Sequence, residues 1–314
     1  MTAYLARRVG QALIVIIGVS IAVFVLSRIL PGGPRAILGA RATPQQVHTF
    51  IVQNGLNKPL VVQYGVFLKL LLQGNLGYSY HYNQSVNSLL ASDLPKSAIL
   101  VGLSTLIALA IAVPLGIMQA VRRYTLLDYT LTGASFVGYS MPTFWLGTLL
   151  IAWFSIDLHI FPSEGPQSGG VAGIFTHPTA MVLPVATLVV VNVALFSRYM
   201  RSSAIESLVQ DFIRTARSKG LSERAVITNH LLRNSLIPIV TLLGVSLPYI
   251  FSGALITESV FNYPGMGLLF WNAAQVKDYA VLIGGTLVVS VAAVLGSLAA
   301  DLIYAAIDPR VRYR

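Results

Sequence analysis

Apolar residues fall along this chain in two rhythms. The longer one is a set of uncharged, mostly apolar runs at 9–27, 97–121, 129–156, 179–197, 234–257 and 279–300. A helix rises about 1.5 Å per residue, so crossing a hydrocarbon layer roughly 30 Å thick takes about 20 apolar residues. The runs have that length, and the chain reads as an all-α polytopic membrane protein with six transmembrane helices. The shorter rhythm is confined to 205–216. There Ile205, Leu208, Val209, Phe212, Ile213 and Ala216 recur at helical spacing and predict one amphipathic helix, with Glu206, Gln210, Arg214, Arg217 and Lys219 on the opposite side. Gly220 is expected to stop it, because a residue without Cβ takes the left-handed conformation that closes a helix. The basic residues before it suit the negative end of the helix dipole.

Between the first two runs the pattern turns polar. Thr43-Pro44 is a helix N-cap and first-turn pair leading into 45–54, a second segment covers 61–73, and the turn-rich Gly74-Asn-Leu-Gly-Tyr-Ser follows. Together they predict a small folded subregion outside the membrane. Pro114, Pro142, Pro184, Pro238 and Pro248 sit inside runs. Each forfeits a backbone hydrogen bond and favours a kink, and kinks open cavities; membrane helices also simply tolerate proline, so both readings stand. Arg7 and Arg8 before the first run give it the look of a signal sequence, but its 19 uncharged residues exceed a usual signal core. The following Arg28-Ile-Leu-Pro-Gly-Gly-Pro is not a small-residue cleavage site. A retained anchor is expected.

Charge sets the orientation. Only 10% of residues are charged, 55% are hydrophobic and mean hydropathy is +0.73. With the N-terminus inside, the inner segments hold Arg7, Arg8, Arg122, Arg123, seven basic residues from Arg198 to Arg233, and Arg310, Arg312 and Arg314. The connections at 157–178 and 258–278 hold only Lys277, and the long one at 31–96 holds five, where the positive-inside rule weighs less. Both termini are expected in the cytoplasm. The net charge of +10 is spread over one membrane face without interleaved aromatics, so topology and anionic lipid explain it better than a nucleic acid.

The chemistry that the sequence excludes is broad. With no cysteine there are no disulfides, thiolate metal sites or cysteine nucleophiles. His48, His81, His159, His177 and His230 form no ligand-spaced pair, and neither a phosphate-binding Gly-x-x-x-x-Gly-Lys-Ser/Thr loop nor a Gly-x-Ser-x-Gly elbow occurs. No cofactor is implied, and an energy source must lie in another chain. Arg28, Asp157, Arg198 and Glu258 fall at run ends, where snorkelling to the interface is the expected reading; Asp301 sits beside Ala300, near the inner interface. Asn192, in the middle of the fourth run, either lines a route or bonds a neighbouring helix.

On these residues the chain resembles a known family. Ala216, Gly220 and Leu232 match the register of the coupling signature of importer-type ABC permeases, with Arg214-Thr215 in place of Glu-Ala, His230 in place of Ile and Arg233 in place of Pro. Those departures are themselves similar to the dipeptide/oligopeptide/nickel branch, whose segment reads like Asp-Phe-Ile-Arg-Thr-Ala-Arg-Ser-Lys-Gly-Leu followed by His-x-Leu-Arg-Asn. The resemblance extends to Gly18-Val-Ser, Leu30-Pro-Gly-Gly-Pro (with Gly33 where Asp is common), Leu56-Asn-Lys-Pro-Leu, Gly74-Asn-Leu-Gly-Tyr-Ser, Glu258-Ser-Val-Phe-Asn-Tyr-Pro-Gly-Met-Gly and Asp301-Leu-Ile-Tyr-Ala-Ala-Ile-Asp-Pro-Arg.

The resemblance implies a B-type permease subunit with the type I importer (MetI-like) fold. It implies a first helix plus outer subregion over 1–94, a five-helix core over 95–305 with a cytoplasmic coupling loop at about 199–233, and a cytoplasmic tail over 306–314. Its partners would be a homologous C-type permease, ABC ATPase subunits and an extracytoplasmic substrate-binding protein, in the inner membrane of a bacterium. The cargo would be a short peptide, or else a nickel chelate, glutathione or an oligosaccharide. Asp211, Phe212, Arg214, Thr215, Ala216, Arg217, Lys219, Gly220 and Leu221 would meet the ATPase, while Asn192, Glu258, Pro264 and Gly265 are candidates for the pathway or gate. From the residues alone the loop equally fits a basic amphipathic helix resting on anionic lipid. A stand-alone secondary transporter would need acidic or histidine groups within the spans, which are nearly empty of them.

Overall fold

A computed structural model describes residues 2–29, 33, 38, 42–53 and 55–307, with the side chains of 2–6, 53, 245, 247–248 and 299–307 excepted. Most of the 30–34 motif, the tail at 308–314 and the side chains of Asp301 and Pro248 therefore lie outside the described residues. The chain is helical almost throughout. Helix α1 (Thr2–Ile29) comes first. The polar subregion follows as α2 (Pro44–Gln53), α3 (Leu60–Leu72) and a two-stranded ribbon of β1 (Tyr78–Ser79) and β2 (Gln84–Ser85). The expected cap at its start is a reciprocal one: the Gln46 amide donates to Thr43 Oγ1 (3.3 Å) and the Thr43 amide to Gln46 Oε1 (2.8 Å). Phe24 of α1 packs against Tyr64 and Phe67 of α3 at 5.3 and 5.6 Å between ring centroids, and Ser20 bonds Tyr64 at 2.8 Å. These contacts hold the subregion against the first span.

The core is built on α4 (Val86–Val121) and α8 (Val182–Leu208). Along α4, Leu100, Ser104, Ala108, Ala112, Gly116 and Ala120 recur every fourth residue and all are buried. In lipid, where apolar surface gives little drive for helix association, such small residues let backbones approach closely. At Gly116 a Cβ would lie 2.6 Å from the Met200 Cβ and 2.8 Å from the Ser197 carbonyl oxygen, so only glycine fits there. Pro95 and Pro114 lie within α4 without ending it, and α4 runs unbroken through the 94–95 boundary.

Among the described residues, five helical stretches are long and apolar enough to cross a membrane, and a bent pair, taken as one span, makes a sixth. That pair, α5 (Leu126–Ser140) and α6 (Thr143–Leu150, continued by a π-wound turn Ile151–Asp157), turns by 99°. Pro142 supplies the reason, since it has no N–H to donate and forces Met141 into extended backbone (ψ 126). The third run is thus sharply broken, where a kink alone was expected.

Two other expectations are corrected. The 205–216 stripe is not one helix: α8 ends at Leu208, Gln210 is extended (ψ 153), and α9 (Asp211–Ser218) starts anew. Val209 falls in this break and is exposed, whereas the rest of the stripe packs inward. The run at 234–257 is interrupted as well. A segment α10, made of Glu223–Ala225, a π-wound stretch Val226–Leu231 and Leu232–Ser235, leads into α11 (Ile237–Ser252). Gly253, at φ 75, then ends α11, and α12 (Leu255–Val260), α13 (Met266–Gln275) and α14 (Tyr279–Ile307) complete the chain, with the short α7 (Gly170–Thr176) before α8.

Candidate functional site

The loop after α8 folds into a knob. Ile213 and Ala216 of α9 are buried in a cluster with Ala120 of α4, Ala204 of α8, and Val226 and Leu231 of α10, while Ile117, Ile205, Leu208, Phe212 and Ile227 pack around it. The knob is thereby seated on the ends of the two core helices. Burying Ile213 alone stabilises this docking by roughly 1.5–3 kcal/mol, ample to keep the knob rigid.

The end of α9 is closed as the sequence predicts. The Leu221 amide donates to the Ala216 carbonyl (3.4 Å) and the Gly220 amide to the Arg217 carbonyl (2.9 Å), with Gly220 at φ +75. This paired closure needs the left-handed conformation that glycine adopts without strain. Ser222 then caps α10 by accepting from the Ala225 amide, and Arg217 grips Glu223 through Nε (2.7 Å) and Nη2 (3.2 Å) across the turn. Both partners of that pair are largely exposed, so it shapes the turn more than it stabilises the fold. What remains on the outside is a small protrusion: Asp211, Arg214, Thr215, Lys219, Gly220 and Leu221 are exposed. The Arg214–Asp211 pair is 3.5 Å apart and almost fully in solvent, so both ends are available to a partner. Of the nine residues proposed for coupling, Phe212 and Ala216 belong to the seat and the other seven to the exposed side.

The candidate gate residues form a second cluster, far along α4. Glu258 is fully buried, which corrects the expectation that it snorkels. Its Oε1 accepts from Ser97 Oγ (2.7 Å) and the Ala254 amide (3.0 Å), and its Oε2 from the amides of Gly267 (2.7 Å) and Leu268 (3.2 Å). Ser97 Oγ in turn accepts from the Met266 amide (2.7 Å), and Tyr263 donates to the Lys96 carbonyl (2.8 Å). One carboxylate thus ties α4 to α12 and to the start of α13. Gly265 is there because a Cβ would stand 2.5 Å from Ser97 Oγ and 2.6 Å from Glu258 Oε2. Pro264 is half-buried beside it. Asn192, on α8, belongs to neither cluster; half-buried, it makes no side-chain hydrogen bond with the described residues.

A third polar contact escaped the sequence. Asp128 of α5, with 1% of its side chain exposed, is held by Arg201 of α8 through Nε and Nη2, both at 2.8 Å. The Tyr124 amide (3.0 Å) and Thr132 Oγ1 (3.3 Å) also donate to it. The only signal was an acid just before one run and a base just after another, 73 residues apart, and nothing local pairs them. No group of His, Asp or Glu among the described residues is arranged to hold a metal.

A bundle of apolar spans carrying a compact, solvent-facing knob at one end defines a polytopic membrane protein. Residues 112–313 match the family of binding-protein-dependent transport system inner membrane components, residues 1–101 match the N-terminal part of such components, and the chain belongs to this family. Among its relatives, the oligopeptide transport system permease protein AppB of Bacillus subtilis is 36% identical over 316 residues, with 100% of both chains covered. The dipeptide transport system permease protein DppB of Escherichia coli is 32% identical over 338 residues, again with 100% of each covered. The oligopeptide permease OppB of Haemophilus influenzae is 39% identical over 292 residues, 92% of each. A chain of the MetNI methionine ABC transporter in an inward-facing conformation shares the fold, with a TM-score of 0.55, 16% identity, and 70% of this chain and 96% of that one covered.

Proposed function

We propose that this chain is the permease subunit of an ATP-driven importer of short peptides, forming half of the translocation pathway and coupling to a partner ATPase through the α9 knob. The observation that carries the reading is the knob itself: an apolar seat on the two core helices, a glycine-closed end, and an exposed rim. Such a body passes a push from a motor to the spans without deforming. The rim carries both charge signs and a compact turn, which suits a protein cleft better than a lipid surface, where a long basic face would be needed. Full-length similarity to proteins named as dipeptide and oligopeptide permeases supports peptide as the cargo.

The chain acts with a homologous second permease, ABC ATPase subunits and an extracytoplasmic binding protein, in the bacterial plasma membrane with both termini inside. The distribution of basic residues supports this orientation. Arg122 and Arg123 lie two and three residues beyond Ala120, which packs on the basic knob, so two of the basic segments lie at one end of the molecule.

Reconstitution tests the reading. Liposomes holding this chain, its second permease and the ATPases, with binding protein added, are expected to take up a labelled dipeptide only with ATP. This chain alone is expected to hydrolyse no ATP above background. Uptake confined to a nickel chelate, glutathione or an oligosaccharide would reassign the cargo, and hydrolysis by the isolated chain would overturn the partner-motor reading.

A further inference from the structure

One face of α8 meets two different bodies along its length. Ala194, Ser197 and Arg201 follow one another at intervals of four or fewer residues and all face α5. A Cβ on Gly138 would stand 3.5 Å from the Ala194 Cβ, Ser135 and Ser197 hydroxyls are 3.3 Å apart, and Arg201 holds Asp128. In the same register, Ala204 and then Ile205 and Leu208 pack against the knob. Among the described residues, none from α5 belongs to the apolar cluster that seats the knob. Movement of the knob reaches α5 through α8, and also through α4, whose Ala120 packs on the knob, whose chain turns into α5 within a few residues, and whose Gln119 donates to Thr132 at 3.5 Å. Along the α8 route the contact nearest the knob is Asp128–Arg201.

The three contacts with α5 differ in kind. A glycine against a methyl and a pair of hydroxyls at 3.3 Å leave room to slide. Two parallel charge-assisted hydrogen bonds at 2.8 Å fix distance and angle together, and burial of the Asp128 side chain makes Arg201 costly to give up. From Asp128 the chain climbs α5 to the 99° bend and into α6. There Gly147 lies so close to α12 that a Cβ would be 3.1 Å from the Phe261 ring, three residues from Glu258. The bent span thus joins the knob end of the molecule to the buried carboxylate cluster.

We infer that Asp128 and Arg201 are positioning residues for transport: their ion pair is the pin that makes the bent span follow the knob. The inference rests on the importer reading above. Neither residue contacts cargo or nucleotide in this role. Its loss leaves the motor docked and turning while the span lags.

The test is the number of peptides taken up per ATP hydrolysed by the complete reconstituted assembly. Arg201→Lys keeps the charge and loses the two-pronged grip; Asp128→Asn keeps the shape and loses the charge. For both, assembly and hydrolysis stimulated by binding protein are expected to stay within about twofold of the unmutated complex, while peptide per ATP falls about tenfold, within the range of ordinary coupling free energies. A purely structural pair would lower uptake and hydrolysis together. That outcome, or an unchanged ratio in Arg201→Lys, overturns the pin; if Asp128→Asn does not assemble, Arg201→Lys decides. Failure of the unmutated assembly to show any ATP-driven uptake would instead overturn the importer reading.

Discussion

Gly220 shows how much of the proposed coupling hangs on one residue. It holds φ +75, and a Cβ built there would meet nothing within 4 Å. The demand for glycine is therefore purely conformational, costing a β-branched replacement about 1–2 kcal/mol at that turn. Gly220→Val is expected to insert normally and to lose most peptide uptake in the reconstituted assembly, because the turn reshapes the surface offered to the motor. Gly220→Asn is expected to keep most of it, since asparagine tolerates the left-handed region. Equal uptake by the valine variant and the unmutated protein would show that the closed turn plays no part. At Glu258 the constraint is of another kind. Four donors converge on one buried carboxylate, so its role is to lock three segments together, and Gly265 is small to let the backbone reach it.

Among the elements, α4 has the most exacting surface. Its every-fourth-residue stripe meets α8 closely at Gly116, where a Cβ would stand 2.6 Å from the Met200 Cβ, while Gly102 on the same helix has open space around it. Gly116→Leu is expected to destabilise the purified protein by more than about 2 kcal/mol, since overpacking forces backbones apart. Gly102→Leu is expected to be nearly neutral. Thermal unfolding in detergent measures both, and equal melting points would contradict the packing described. Elements governed by local chemistry were legible in the sequence: the apolar runs, the Thr43 cap and the stop at Gly220. The bend at Met141–Pro142 was legible only as a kink, because proline states where a helix fails and tertiary packing states by how much. The break at Val209–Gln210 was invisible, since residues at helical spacing on either side continue one stripe. Glu258 was misjudged and the Asp128–Arg201 pair missed because the side chains that complete them, Ser97 for Glu258 and Arg201 for Asp128, lie 161 and 73 residues away, a distance that periodicity cannot span. The nearer donors to Glu258 are backbone amides, which side-chain pattern does not mark.

For the whole molecule, six spans, a polar subregion at one end and a basic knob at the other form a two-ended device. The knob rides on α4 and α8, and α4 also reaches the carboxylate cluster at the opposite end through Ser97. Because the chain has no native cysteine, a single one at exposed Leu221 reports on the knob without background. The most direct test of the knob as the motor's docking point is thiol labelling of Leu221→Cys by a membrane-impermeant reagent. Intact cells are expected to show no labelling, permeabilised membranes lacking the ATPase to show full labelling, and membranes holding the assembled ATPase to show strong protection. Labelling from outside, or equal labelling with and without the ATPase, would contradict the account.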